Sequence, residues 1–326
     1  MIISRTPLRI SLGGGGTDLP SYYQHDGGFV LSAAIDKYVY IGVNRTFTND
    51  YFLKYSDLER VTSRDDIRHP IFREVLRELN INPPIEIVSM ADIPAGTGLG
   101  SSGSFTVGLI RALYAHLRQH ISAGDLAEMA CNIEINKLGE PVGKQDQYIA
   151  AFGGVQCLNF RKDGSVDVEP LAISLPTLHD LELHLVLFFT GYSRSASGIL
   201  KDQTDKSVAG DAEMRRNLDE TRDLGLQIKS VLESNAPEDF GILMNEHWQR
   251  KRRRSKGMSN QTIDELYQLG MDNGAVGGKL VGAGAGGFLM FYANDVARLR
   301  SAFRERGLEE VVFRFDQDGS TILSRL

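Results

Sequence analysis

Hydrophobic and polar positions along the chain fall into two periods, and together they predict a mixed α and β protein. Met1 to Ile10 reads as an edge strand, and Phe29 to Val43 alternates apolar and polar positions as one or two strands. Ile67 to Leu79 carries Ile71, Val75, Leu76 and Leu79 on one helical face, and Ile85 to Met90 is a short β-branched strand. Phe105, Leu109, Leu113 and Leu117, with Ile110 and Tyr114 beside them, predict an amphipathic helix running toward His120. Ser122 to Leu138 reads as another helix, capped near Ser122, ended by Gly139 and Pro141, and buried along Leu126, Met129, Ala130 and Ile133. Val155 to Phe160 and Val166 to Leu171 form a hairpin around Lys162-Asp163-Gly164. The character changes near Leu175-Pro176, which divides the chain into an amino-terminal domain, 1–175, and a carboxyl-terminal domain, 176–326. Beyond it, Leu181 to Phe189 reads as a strand, Met214 to Leu232 and Asp239 to Arg250 as helices, and Phe288 to Tyr292 as a strand.

Three glycine clusters interrupt these periods, and the middle one stands out. Pro94-Ala95-Gly96-Thr97-Gly98-Leu99-Gly100-Ser101-Ser102-Gly103-Ser104 lies between a predicted strand and a predicted helix. Glycines there let the backbone approach a ligand, and the helix start offers unpaired N–H groups and a positive dipole end to an anion, so the stretch reads as a phosphate cradle. The plainer reading is a flexible turn with a serine cap. Gly98, Gly100 and Gly103 formally match the dinucleotide fingerprint, but a helix follows where a second strand ending in an acidic residue is required. A Walker A loop fails because Gly100 precedes Ser101 where lysine belongs.

The first cluster, Gly13-Gly14-Gly15-Gly16, runs straight into Thr17 and Asp18. Four glycines in a row are expected to leave room for a ligand, with Asp18 accepting hydrogen bonds from adjacent sugar hydroxyls; the alternative is an Asx turn. The third cluster, Lys279 to Leu289, matches the dinucleotide pattern at Gly282, Gly284 and Gly287, yet strand follows loop, which is the wrong context. Between them, Glu134 sits at the margin of a helix stripe near its carboxyl end, where a cation would offset dipole repulsion; a solvated side chain is the alternative. Asp146, in Gly143-Lys144-Gln145-Asp146-Gln147, reads either as a helix cap or as a catalytic carboxylate held beside Lys144.

Composition narrows the function class. Apolar residues at 42% and charged residues at 24% describe a globular protein, and the net charge of -6 argues against nucleic acid as the main partner. Neither a signal peptide nor an apolar run long enough to span a bilayer is present, which predicts a cytoplasmic protein with no membrane partner. Cys131 and Cys157 read as buried thiols, not as a disulfide framework or zinc site. Against that acidic background, Arg250 to Lys256 holds six basic residues in seven. Such a run reads as a solvated helix end or as a collector of substrate phosphate.

The order of the three glycine loops resembles the GHMP superfamily of small-molecule kinases over nearly the whole chain, with Ala285 standing where glycine is common. Among members, Thr6 to Asp18, Gly143 to Gln147 and Gly257-Met258-Ser259-Asn260 look most like the D-glycero-D-manno-heptose 7-phosphate kinases, and fucokinase domains share much of the wording. The resemblance implies an α+β fold in two domains, an amino-terminal β/α domain and a carboxyl-terminal ferredoxin-like domain, with the active site between them. It implies ATP and magnesium as cofactors, a small sugar phosphate as substrate, and a monomer or homodimer. Pro94, Gly96, Gly98, Leu99, Gly100, Ser101, Ser102, Gly103 and Ser104 would bind ATP, with Ser102 and Glu134 holding magnesium. Asp146 would act as general base and Arg9 would face the charge on the transferred phosphoryl. Gly13, Gly14, Gly15, Gly16, Thr17 and Asp18 would hold the sugar, and Gly282, Gly284, Gly286 and Gly287 would close the site. By charge alone, Arg194, in the polar turn Thr190 to Ser195, and the Lys251 to Lys256 run are the candidates to meet the substrate's own phosphate. The implied reaction phosphorylates the anomeric hydroxyl on the way to nucleotide-activated heptose for surface polysaccharides. A kinase for free fucose or galactose is the alternative. A non-catalytic sugar and nucleotide sensor is another, disfavoured because Asp146, Glu134, Ser102 and Arg9 are all retained.

Overall fold

The computed structural model describes residues 1–191, 197–255, 257–282, 284 and 286–325. Its strands are β1 (Ile2–Gly13), β2 (Gly28–Asn44), β3 (Tyr51–Lys54), β4 (Leu58–Val61), β5 (Ile85–Ala91), β6 (Val155–Phe160), β7 (Val166–Pro170), β8 (Leu185–Phe189), β9 (Ala275–Leu280), β10 (Phe288–Ala293) and β11 (Thr321–Arg325). Its α-helices are α1 (Pro20–Asp26), α2 (Pro70–Glu78), α3 (Ser101–His116), α4 (Ala123–Cys131), α5 (Gln145–Phe152), α6 (Leu175–His184), α7 (Ser197–Val208), α8 (Ala212–Glu233), α9 (Pro237–Arg254), α10 (Gln261–Asp272) and α11 (Val296–Glu305).

A large sheet runs β11-β1-β2-β5-β3-β4, with β6 and β7 joining along β2. The long β2 makes this branching possible: its Gly28–Ala33 half pairs with β6 and its Val39–Asn44 half with β5, while β1 pairs along the other side. Every ladder is antiparallel except β3 with β5. β1 is not an edge strand, because β11 returns from the far end of the chain and pairs Ile2 with Arg325 and Ser4 with Ile322. Thr6 to Gly13 are all buried. Side chains alternate between the two faces of a strand, so an unbroken buried run needs cover on both sides; α3, α5 and α8 all pack on β1 and β2.

β8, β10 and β9 make a second, antiparallel sheet. β10 alternates, with Phe288, Met290 and Tyr292 in the core shared with the large sheet. Leu289 and Phe291 join a separate cluster with Trp248, Leu299 and Phe303. α9 packs on β9 and on α8, and so ties the small sheet to the large one. The mixed α and β fold that the resemblance implies is met.

Two local expectations change. The strand expected over Leu181–Phe189 begins only at Leu185, because Ser174 caps a helix at Thr177 N and Pro176 starts it. The helix expected from Ser122 to Leu138 passes at Asn132 into a π-helical turn, Asn132–Lys137, which carries Glu134 inward. On α2, Phe72 is the fully buried residue beside Val75 and Leu76, and Ile71 is only half-buried.

Candidate active site

The cleft forms where the three glycine loops meet. In the central loop Gly96, Gly98 and Gly100 have φ of +78°, +89° and +76°, a region that disfavours any side chain, and this accounts for their alternation. Gly100 caps α3, whose first N–H groups have no helical carbonyl to bond, and Ser101 and Ser102 line the cleft at that end. The remaining residues of this stretch do other work. Leu99 is in the core with its carbonyl accepting from Arg9 N, and Ser104 is fully buried with its hydroxyl on Pro7 O at 2.7 Å. Gly103 lies under Asp146, where a Cβ would come within 2.8 Å of the aspartate Cβ, and Pro94 is an exposed turn residue accepting from Thr97.

The third loop packs backbone to backbone on the central one. A Cβ on Gly282 would sit 2.5 Å from Gly98 Cα, and one on Gly287 would sit 2.1 Å from Thr97 O. Gly282, Gly284 and Gly286 still face the cleft, whereas Gly287 lies against the central loop.

The first loop divides in the middle. Gly13 and Gly14 are packing residues, contrary to expectation: a Cβ on Gly14 would meet Phe29 O at 2.0 Å, and one on Gly13 would meet Gly225 Cα on α8 at 3.1 Å. Thr17 is buried and bonds Gly14 O, Phe29 O and Phe29 N, which locks the turn and leaves it no free hydroxyl. Gly15, Gly16 and Asp18 face the cleft. Asp18 accepts from Gly16 N at 3.0 Å and Gln145 N at 3.2 Å; burial, then the Asp146 charge, raises its pKa.

Asp146 is held by Arg9. Arg9 Nε donates to Oδ1 at 2.7 Å and Nη2 to Oδ2 at 2.9 Å, while Nη1 donates to Gly98 O at 2.6 Å. This fork ties β1, α5 and the central loop together. Lys144, expected beside Asp146, instead bonds Glu128 and Gly164 O from the position just before α5. Ser102 Oγ donates to Glu134 Oε2 at 2.6 Å and Gln147 Nε2 to Oε1 at 3.0 Å. Glu134 is 1% exposed, and burial raises its pKa. Arg194 and Ala285 lie outside the described residues.

Comparison with known proteins gives these loops a family. Residues 67–154 match the GHMP kinases N terminal domain and residues 228–308 match the GHMP kinases C terminal. The chain belongs to the GHMP kinases. Members use ATP as phosphoryl donor. It is 31% identical to the D-glycero-alpha-D-manno-heptose 7-phosphate kinase of Campylobacter jejuni, over 98% of this chain and 97% of that one. It is 25% identical to the L-fucokinase/L-fucose-1-P guanylyltransferase of Bacteroides fragilis, over 94% of this chain but 36% of that longer one. A putative sugar kinase from Campylobacter jejuni superposes with a TM-score of 0.78 at 27% identity, covering 98% of this chain and 97% of that one. A D-glycero-D-manno-heptose 1-phosphate kinase structure has the same TM-score at 24% identity, with both chains fully covered. No helix among the described residues is long and apolar enough to cross a membrane.

The basic run of this kinase splits by helical period. Arg250 pairs with Glu220 and Glu246, Arg252 pairs with Asp264, and Arg253 is exposed. Lys251 and Arg254 instead point into the cleft, below His247 on the same face of α9. Lys279 joins them from β9. Sequence reasoning passed over His247 and Lys279. The spacing His247, Lys251, Arg254 was the available signal, since those positions share one side of a helix. Lys256 lies outside the described residues.

Lys279 provides a pH prediction. Burial, then the charge of Arg9, lowers its pKa from 10.5 to about 7, and Lys251, Arg254 and His247 face the same cleft. Between those values the unfolded lysine holds a proton that the folded one does not, so its contribution to stability falls as pH drops from 10.5 to 7 and is level below. Lys279→Met is therefore expected to gain stability over the wild type progressively across that window, as read from urea midpoints at matched pH.

Proposed function

We propose that the chain is an ATP-dependent carbohydrate kinase that transfers the γ-phosphoryl group to the anomeric hydroxyl of D-glycero-D-manno-heptose 7-phosphate, giving the 1,7-bisphosphate and ADP. The observation that carries this reading is the end-to-end likeness to the Campylobacter heptose 7-phosphate kinase, at 31% identity. The partial match to a fucokinase supports a free-sugar kinase as the second reading.

In this proposal the α3 amino terminus and the Gly96–Ser102 backbone cradle the ATP phosphates. Ser102 and Glu134 are hard oxygen donors, and burial and the Asp146 charge both disfavour the glutamate charge, which a cation would offset, so the pair fits magnesium. Bound there, magnesium supplies charge neutralisation on the phosphates. Asp18 takes sugar hydroxyls, and Ser11 Oγ and Gln145 Oε1, two buried atoms of cleft residues without a partner among the described residues, are available in the same cleft. As the anomeric oxygen attacks the γ-phosphorus and the bond to the ADP oxygen breaks, Asp146 accepts the hydroxyl proton. Arg9 positions Asp146 and the central loop together. Phosphoryl transfer asks chiefly for such positioning and for charge neutralisation.

The test is coupled ATP consumption with magnesium across the heptose 7-phosphate, mannose, fucose, galactose and mevalonate. Turnover confined to the heptose phosphate supports the proposal. Preference for a free sugar replaces it with the second reading, and no turnover with intact binding favours a sensor. Glu134→Gln is expected to fold normally, since it removes a buried charge, and to raise the magnesium needed for half-maximal rate by at least about tenfold.

A further inference from the structure

The acceptor side of the cleft gathers more buried basic side chains than the protein pairs with acidic ones, and Asp18 is the carboxylate whose charge acts on Arg254. Lys251, Arg254 and Lys279 are 7%, 6% and 2% exposed, and among the described residues none of them forms an ion pair. Each is held by uncharged groups. Lys251 Nζ bonds Leu280 O and Gly282 O, and Lys279 Nζ bonds Leu12 O at 2.8 Å. Arg254 bonds Gly15 O at 3.0 Å, Thr221 at 2.8 Å and Asn217 at 2.9 Å. His247 is 3% exposed and lines the same cleft, with neither ring nitrogen partnered among the described residues. Burying cations without counter-ions is costly, and a buried imidazole with two idle nitrogens adds to that cost. An arrangement of this kind becomes favourable when an anion fills it.

The anion has two possible sources in the proposed reaction, ATP and the phosphorylated sugar. The ATP cradle is built from the central loop and the start of α3. Two members of the cationic cluster are anchored elsewhere: Lys279 and Arg254 bond the carbonyls of Leu12 and Gly15, at the end of β1 and in the first glycine loop, beside Asp18, while Lys251, on Gly282 O, sits between the two loops. Gln203 of α7 bonds Gly16 O next to them. That is the loop proposed to hold the sugar.

We infer that His247, Lys251, Arg254 and Lys279 form the pocket for the acceptor's own phosphate, so that this site selects a sugar monophosphate over the corresponding free sugar. The inference rests on the sugar phosphate kinase reading and adds to it the residues that recognise the phosphate. A dianionic phosphate accepts from two ammoniums, a guanidinium and an imidazolium at once, and charge-assisted bonds of this kind are the stronger class. Proton uptake by Lys251, Lys279 and His247 accompanies binding, because burial, and then neighbouring cations, hold all three below their ordinary values in the free protein.

Two measurements on the full chain test it. The first compares kcat/KM for D-glycero-D-manno-heptose 7-phosphate and for unphosphorylated D-glycero-D-manno-heptose, in the wild type and in His247→Gln and Lys279→Met. Each variant is expected to lose about tenfold to a hundredfold of the preference for the phosphorylated sugar, through acceptor KM, with KM for ATP unchanged. A rise in KM for ATP instead, or an equal loss on both sugars, overturns the inference. The second measurement is thermal melting with sodium phosphate against sodium chloride at equal ionic strength, with magnesium AMP-PNP present to fill the ATP site. Phosphate is expected to raise the wild-type midpoint, and the rise is lost in both variants while stabilisation by AMP-PNP is kept. No rise, or a rise retained in both variants, overturns the pocket. If the heptose phosphate is not turned over, the substrate reading fails by itself and the melting result still decides the pocket. His247→Gln removes no hydrogen bond recorded among the described residues, so it stays informative should Lys279→Met fold poorly.

Discussion

Asp146→Asn is expected to lower kcat by about a hundredfold to ten-thousandfold, the range for loss of a positioned general base, with little change in either KM. The amide has nearly the shape of the carboxylate, so the fold and the cleft survive. What it loses is the charge that accepts the hydroxyl proton. It also presents an NH2 group to Arg9, whose Nε and Nη2 now face the two carboxylate oxygens at 2.7 and 2.9 Å, so one arm of that fork is left unpaired. Single-turnover rates beside steady-state KM values check the split. A variant that loses ATP or sugar affinity while keeping its chemical rate would make Asp146 a structural anchor for Arg9 and not the base. The anomeric hydroxyl is more acidic than an ordinary alcohol, which places the expected loss short of complete inactivation.

Gly282→Ala is the second large effect, acting on the joint between the loops. At φ +81° a side chain costs about 1–2 kcal/mol in the left-handed region. The Cβ would lie 2.5 Å from Gly98 Cα and 2.6 Å from Gly98 O, both backbone atoms that cannot swing aside, and overpacking of that kind costs about 1–3 kcal/mol more. Stability should fall accordingly, and KM for ATP should rise, because the displaced neighbour is the central loop itself. Gly124→Ala serves as the control. Gly124 lies in α4 with no heavy atom within 4 Å of its would-be Cβ, so the change is expected to gain about 0.5–1 kcal/mol. Denaturant midpoints for the pair of variants test the contrast. Equal effects at the two positions would mean that the loop contact contributes nothing.

Much of this molecule was legible along the chain because its signals are local. The strand–loop–helix around Gly96 to Ser104, the hairpin of β6 and β7, and the strand–loop–strand around Gly282 each follow from a hydrophobic period interrupted by residues that only turns favour. So does the placing of Asp146 in the first turn of a short helix. The family likeness rests on local stretches of this kind, the three glycine loops and the segment around Asp146 among them.

Which partner each side chain takes was decided only by the fold. Local sequence puts Lys144 two positions from Asp146, but successive helical positions diverge around the axis, and the partner came from Arg9, 137 positions away. The glycines of the first loop look alike in sequence, yet Gly13 and Gly14 meet α8 and β2 while Gly15 and Gly16 meet the cleft, a division set by elements far along the chain. β1 looked like an edge because nothing near it in sequence announces that the carboxyl-terminal strand returns to cover it. The basic run looked uniform, and only packing of α9 against β9 turned Lys251 and Arg254 inward, toward a histidine and a lysine that no run of charge would have included. Sequence by itself determined the local conformations and the kinds of chemistry available, since propensity and turn geometry act over a few residues. Tertiary structure alone decided which of those groups share one desolvated cleft, since burial and pairing depend on elements brought together from opposite ends of the chain.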